Sequence, residues 1–69
     1  MKIEYDQEHD LLYVWFSTPG RRAARTETLA PGVHVDFDAA GRLVGMEVVE
    51  ATSTLGGSLQ FEMSLKQPA

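Results

Sequence analysis

The sequence predicts an all-β or nearly all-β domain: a small antiparallel meander of about six short strands, with one helical turn accommodated before the last. Three observations carry this. Apolar and polar residues alternate with period two in most segments. Pro19-Gly20, Pro31-Gly32 and the Asp38–Gly41 stretch punctuate the chain as turns. No stretch of ten residues makes a convincing helix. Links this short favour antiparallel neighbours.

The elements follow in order. "KIEYD" sets Ile3 and Tyr5 against Lys2, Glu4 and Asp6, the pattern of a strand with one buried face. "QEHD" is a hairpin loop. In "LLYVWFS", Leu11, Tyr13 and Trp15 project one way and Leu12, Val14 and Phe16 the other. Both sets are apolar, so cover is expected on both sides. "TPGRRAA" is a loop, and "RTETLA" a polar, half-exposed or edge strand. "PGVHVDFD" turns Val33, Val35 and Phe37 inward and His34, Asp36 and Asp38 outward. Asp38 and Gly41 suit the ends of a type I turn. "RLVGMEVVE" resumes as a strand with Val44, Met46 and Val48 on one face. Gly45 at its centre signals a bulge or a close backbone neighbour. "ATSTLGG" connects, with space for a helical turn. "LQFEMSL" alternates strictly and is expected to be the sixth strand, before a frayed tail.

Sixty-nine residues allow a single domain, residues 1–69. Hydrophobic gain in a chain of this size scarcely exceeds the ordering cost of about 1.5 kcal/mol per residue. Cysteine is absent, so disulfides and thiolate metal sites are excluded and a reducing, cytoplasmic setting is expected. Regular packing and self-association remain as routes to stability. The expected partner is a second copy, in a homodimer or larger assembly joined through apolar sheet surface. Leu12, Tyr13, Val14, Trp15, Phe16, Phe61 and Met63 are the candidate interface residues. The net charge of −4 disfavours nucleic acid. No apolar run approaches the ~18–20 residues of a membrane span, and the opening "MKIEYDQEHD" lacks the apolar core of a signal peptide.

Four places invite a chemical reading. Asp6, Glu8 and Asp10 are spaced like the start of a calcium loop. Such a loop needs Gly sixth and Glu twelfth, and those places hold Leu11 and Ser17. A looser site built on His9 would need a turn to gather its ligands. The expectation is therefore a turn, with Asp6 or Asp10 bonding backbone amides across the hairpin, and no metal or other cofactor. His34, Asp36 and Asp38 line one strand face, where a carboxylate–histidine pair can move protons. No serine sits in a nucleophile elbow, and a polar face without an apolar pocket has no means to tune a pKa. No catalytic residue is assigned; a metal-binding or hydrolytic role for His34, Asp36 and Asp38 or for the Asp6–Asp10 turn is the alternative. Arg21, Arg22 and Arg25 form the one basic cluster, expected to be a solvated loop that discourages edge pairing rather than a phosphate contact. Leu55 to Gly57 form no phosphate loop, because no Lys follows.

"MKIEYDQEHDLLYVWFS" followed by "RTETLAPGVHVDFDAAGRLVGMEVVEAT" resembles the DUF2283 family of small bacterial and archaeal proteins of unknown function. The features that carry the resemblance are a "YD-x-E-x-D-x-LY" start, an "E-x-x-APGV" step and "D-x-D-x-x-GR-x-VG-x-E-x-x-xA". They span Met1 to Thr52. Leu11 stands where family members often have Ala. The resemblance implies a small β-rich fold and brings no reaction. It also implies a second small protein as partner, since family members look like one half of two-gene arrangements with small toxin-like proteins. An antitoxin-like or regulatory interaction module is the resulting expectation.

Overall fold

The computed structural model describes residues 1–68 and forms one antiparallel sheet followed by a helical turn. The elements are β1 (Lys2–Asp6), β2 (Leu11–Trp15), β3 (Arg25–Ala30), β4 (Val33–Phe37), β5 (Leu43–Val48) and α1 (Ala51–Thr54). Their order in space is β1-β2-β5-β4-β3. Strands β3, β4 and β5 run as a meander. The β1–β2 hairpin joins it because the connection from Phe16 to Ala24 lets β5 settle beside β2.

Directly opposed residues in an antiparallel pair share a face. Ile3 opposes Val14 and Tyr5 opposes Leu12. Leu12 in turn opposes Val48, and Val14 opposes Met46. Val33 and Val35 complete the same two rows from β4. One face of the sheet is therefore apolar, as the period-two alternation predicts. Helical turn α1 lies on it: Ala51 is fully buried against Leu12 and Val48, with Tyr5, Val14, Val33, Met46 and Leu59 packed around them. Val44 and Val48 are each 1% exposed, and burial of a side chain of this size is worth about 1.5–2 kcal/mol. The opposite face carries Lys2, Glu4, Tyr13, Trp15, Glu47, His34 and Asp36.

The turns form where the turn residues predicted them. Gly41 N–H donates to Asp38 O at 3.0 Å, closing the Asp38–Gly41 turn. Gly32, at φ 79°, carries the β3–β4 hairpin in a conformation natural to glycine. Gly45 has the close neighbour expected of it. A Cβ there would lie 2.6 Å from the Tyr13 ring and 2.7 Å from Val14 O, and the β4–β5 register shifts beside it, between Asp36 and Phe37.

Two expectations are corrected. The sixth strand is absent: Leu59 to Leu65 carry no strand and pair with none. Their alternation defines two faces, but a strand also needs a free edge beside it, and within the chain this segment runs alongside none. Strand β2, expected to be covered on both sides, buries only Leu12; its other four residues are half-buried. The single helical turn covers one part of one face.

Candidate functional site

The acidic stretch is a turn held by its own side chains. Asp6 ends β1 and accepts from the His9 amide at 3.2 Å and contacts His9 Nδ1 at 2.8 Å. Asp10 takes a left-handed conformation, φ 51°, which Asp tolerates better than most residues. Its carboxylate accepts from the Tyr5 hydroxyl at 2.6 Å, from the Thr52 amide at 3.1 Å and from the Thr52 hydroxyl at 2.6 Å. Its carbonyl accepts from the Ala51 amide at 2.9 Å. Thr52 and then Tyr5 hold the Asp10 carboxyl below the ordinary carboxylate range. Both aspartates accept backbone amides, but not across the hairpin as expected: Asp6 takes that of His9 within the turn, and Asp10 takes that of Thr52 in α1. Among the described residues, no three His, Asp or Glu side chains come together as a metal cage.

His34 and Asp36 share the polar face, and Asp38 does not join them. Asp38 is buried in the β4–β5 turn, where the amides of Ala40 and Arg42 each donate to it at 2.9 Å and Arg21 pairs with it at 2.6 Å. The Arg42 amide, then that of Ala40, then the two guanidinium groups hold its carboxyl below the usual range. Turn geometry drew Asp38 inward, which overturns its expected place on an exposed row with His34 and Asp36. Asp36 in turn accepts from the hydroxyls of Tyr13 and Thr26, one on each of its oxygens. Burial and the Asp36 carboxylate together raise the Tyr13 pKa. The Thr28 hydroxyl and His34 Nδ1 lie 2.9 Å apart. Both oxygens of Asp36 are thus engaged, by hydroxyls from β2 and β3. The link from Tyr13 to Asp36 spans 23 residues and left no mark in the local pattern.

The arginine cluster is divided by its partners. Arg21 pairs with Asp38. Arg25 lies 4.4 Å over the Phe37 ring and 3.6 Å from Glu27. Arg22 alone of the three is in no ion pair among the described residues.

The candidate interface residues fall into four groups. Leu12 is buried and Val14 half-buried on the apolar face. Tyr13 and Trp15 stand together on the polar face, ring centroids 4.6 Å apart, with the Trp15 indole N–H donating to Glu4 at 2.6 Å. Phe16, half-buried, follows directly after β2. Phe61 and Met63 are 54% and 84% exposed. Ile3 and Leu65, which the sequence did not single out, are 51% and 83% exposed. The apolar half of each alternating segment contained that signal.

Among the described residues, no helix is long and apolar enough to cross a membrane. No curated protein and no solved structure matches the chain. A family model described as a protein of unknown function (DUF2283) matches residues 2–51, the whole sheet and the first residue of α1, and the chain belongs to that family.

Proposed function

We propose that this protein is a non-enzymatic interaction module that associates with itself and, in an antitoxin-like or regulatory role, with a second small protein. The observation that carries this reading is exposed apolar surface on a very small chain. Ile3, Leu29, Leu43, Phe61, Met63 and Leu65 are all about half exposed or more. Scattered apolar residues are ordinary on a surface, and Leu29 and Leu43 are of that kind; Phe61, Met63 and Leu65, in contrast, form one alternating apolar row outside the sheet, and Ile3 lies on its β1 edge, which is more apolar surface than so small a chain needs to leave open. The absence of cysteine suits a cytoplasmic setting.

Sedimentation velocity across a concentration series tests the self-association: a dimer is expected, and a monomer persisting at high micromolar concentration would refute it. Native mass spectrometry of tagged protein drawn gently from its host tests the second partner. A second polypeptide at fixed stoichiometry is expected; a bare homodimer would retire the antitoxin-like role as a constitutive state.

A further inference from the structure

The segment from Leu59 to Leu65 alternates like a strand, exposes Phe61, Met63 and Leu65 of its apolar row and pairs with no strand. The same chain leaves two sheet edges open, β1 and β3. An exposed edge is a template for another strand, and an extended segment that docks on it gains main-chain hydrogen bonds at once. From this we infer that, building on the self-association proposed above, two copies exchange these segments, each laying residues 61–66 along the β1 edge of the other.

The choice of edge follows from side chains. The β3 residues that lie in the apolar rows of the sheet include Arg25 and Glu27, opposite Phe37 and Val35. An apolar row laid beside them would meet charge. The equivalent β1 residues are Ile3 and Tyr5, opposite Val14 and Leu12, and Ile3 is half exposed.

The direction and register follow from charge. With the segment parallel to β1 and Met63 beside Ile3, Leu65 falls beside Tyr5 and Phe61 beside Met1. On the other face Glu62 then meets Lys2, and Lys66 meets Asp6. Both charge pairs are of opposite sign and every apolar residue has an apolar neighbour, the two conditions that favour a cross-strand pairing. Leu59 already packs on its own chain beside the Leu12–Val48–Ala51 cluster, so the exchange begins after an anchored residue. Gly56 and Gly57, at φ 90° and 126°, set the direction in which the chain leaves α1. Each copy carries one donor segment and one acceptor edge, so a two-fold pair satisfies both and closes.

Cysteine replacement tests the exchange cleanly, because the chain has none of its own. Ile3→Cys and Met63→Cys are made separately in the full chain, mixed, and treated with a short bismaleimide. A covalent heterodimer is expected, forming faster than one between Met63→Cys and a Leu29→Cys control on the β3 edge. Met63→Asp, at an exposed position, is expected to weaken the dimer by about tenfold or more with the thermal transition of the monomer unchanged. Lys2→Glu and Glu62→Lys are each expected to weaken it several-fold, and the double exchange to restore it. A dimer indifferent to Met63→Asp, preferential cross-linking to Leu29→Cys, or a bridge formed within one chain of the Ile3→Cys/Met63→Cys double variant would each overturn the exchange and leave self-association standing. A wild-type monomer would overturn both.

Discussion

Thr52 donates both its amide and its hydroxyl to the carboxylate of Asp10, a residue 42 positions earlier in the chain. The Tyr5 hydroxyl completes the set from β1. The β1–β2 hairpin and a residue far along the chain therefore meet at one carboxylate, and α1 is tied to the hairpin it covers.

Removing that carboxylate should loosen the cover of the apolar face. Asp10→Ala is expected to lower the melting temperature by about 10 °C, and Thr52→Val, which keeps the amide bond, by about 4 °C. Differential scanning calorimetry measures both. An Asp10→Ala protein melting within about 2 °C of the parent would show that packing alone holds α1.

Acid should unfold the protein through the same groups. Asp6, Asp10 and Asp38 all titrate below the ordinary carboxylate range when folded, chiefly through His9, Thr52 and the Arg42 amide respectively. A folded pKa below the unfolded value, about 3.9 for Asp, contributes stability that is complete above that value and is lost as pH falls through the folded one. Urea unfolding between about pH 5 and about pH 2 should show that fall. Asp10→Asn and Asp38→Asn should each flatten it, and an unchanged slope in both would remove these carboxylates from the account.

Alkali acts with the opposite sign. Burial first and Asp36 second raise the Tyr13 pKa, and the hydrogen bond to Asp10 raises that of Tyr5. Their contribution is complete below the unfolded value of about 10 and is lost as pH rises beyond it. Tyrosinate absorbance of the folded protein should appear late, and Asp36→Asn should bring one tyrosine part of the way back. Two tyrosines titrating together near pH ~10 would contradict this.

Gly45→Ala tests the contact between β5 and Tyr13. The added methyl meets the Tyr13 ring at 2.6 Å and a backbone oxygen of Val14 at 2.7 Å. Tyr13 can give only by leaving Asp36, and the backbone oxygen cannot give without shifting β2. The cost should be about 2–3 kcal/mol in urea denaturation. A change below about 0.5 kcal/mol would mean that the sheet opens freely at this point.

Calorimetry with zinc, manganese and calcium on the Asp6–Asp10 turn should show no micromolar binding, because Asp10 is occupied by Tyr5 and Thr52 and Asp6 by His9. Micromolar binding abolished by Asp10→Ala would reverse this.

Side-chain alternation made β1, β2, β4 and β5 legible, since it records which residues face the core. It could not separate Val33–Phe37, which has a strand on each side, from Leu59–Leu65, which has none. Both carry the same period, and only the first is flanked by partner strands, β5 and β3. Asp38 was legible as a turn residue but not as a buried one, because residue preferences mark the turn without showing that its amides fold back onto the carboxylate, and because Arg21, which also pairs with it, is 17 residues away. The anchoring of Asp10 by Thr52 was hidden for the same reason. Turn preference is local, whereas the partner of a side chain is decided by how distant segments meet.

Strand β5 lies at the middle of the sheet yet is the last strand in the chain. During synthesis the β1–β2 hairpin and the β3–β4 hairpin emerge first, and neither has a neighbour until Val48 has been made. A two-stranded hairpin alone is marginal in water. The nascent chain therefore gains little lasting structure until β5 slots between the two halves, and the sheet then forms nearly at once. A stalled or shortened product ending before Leu43 would be two separate ribbons with open edges, the kind of species that chaperones and proteases recognise.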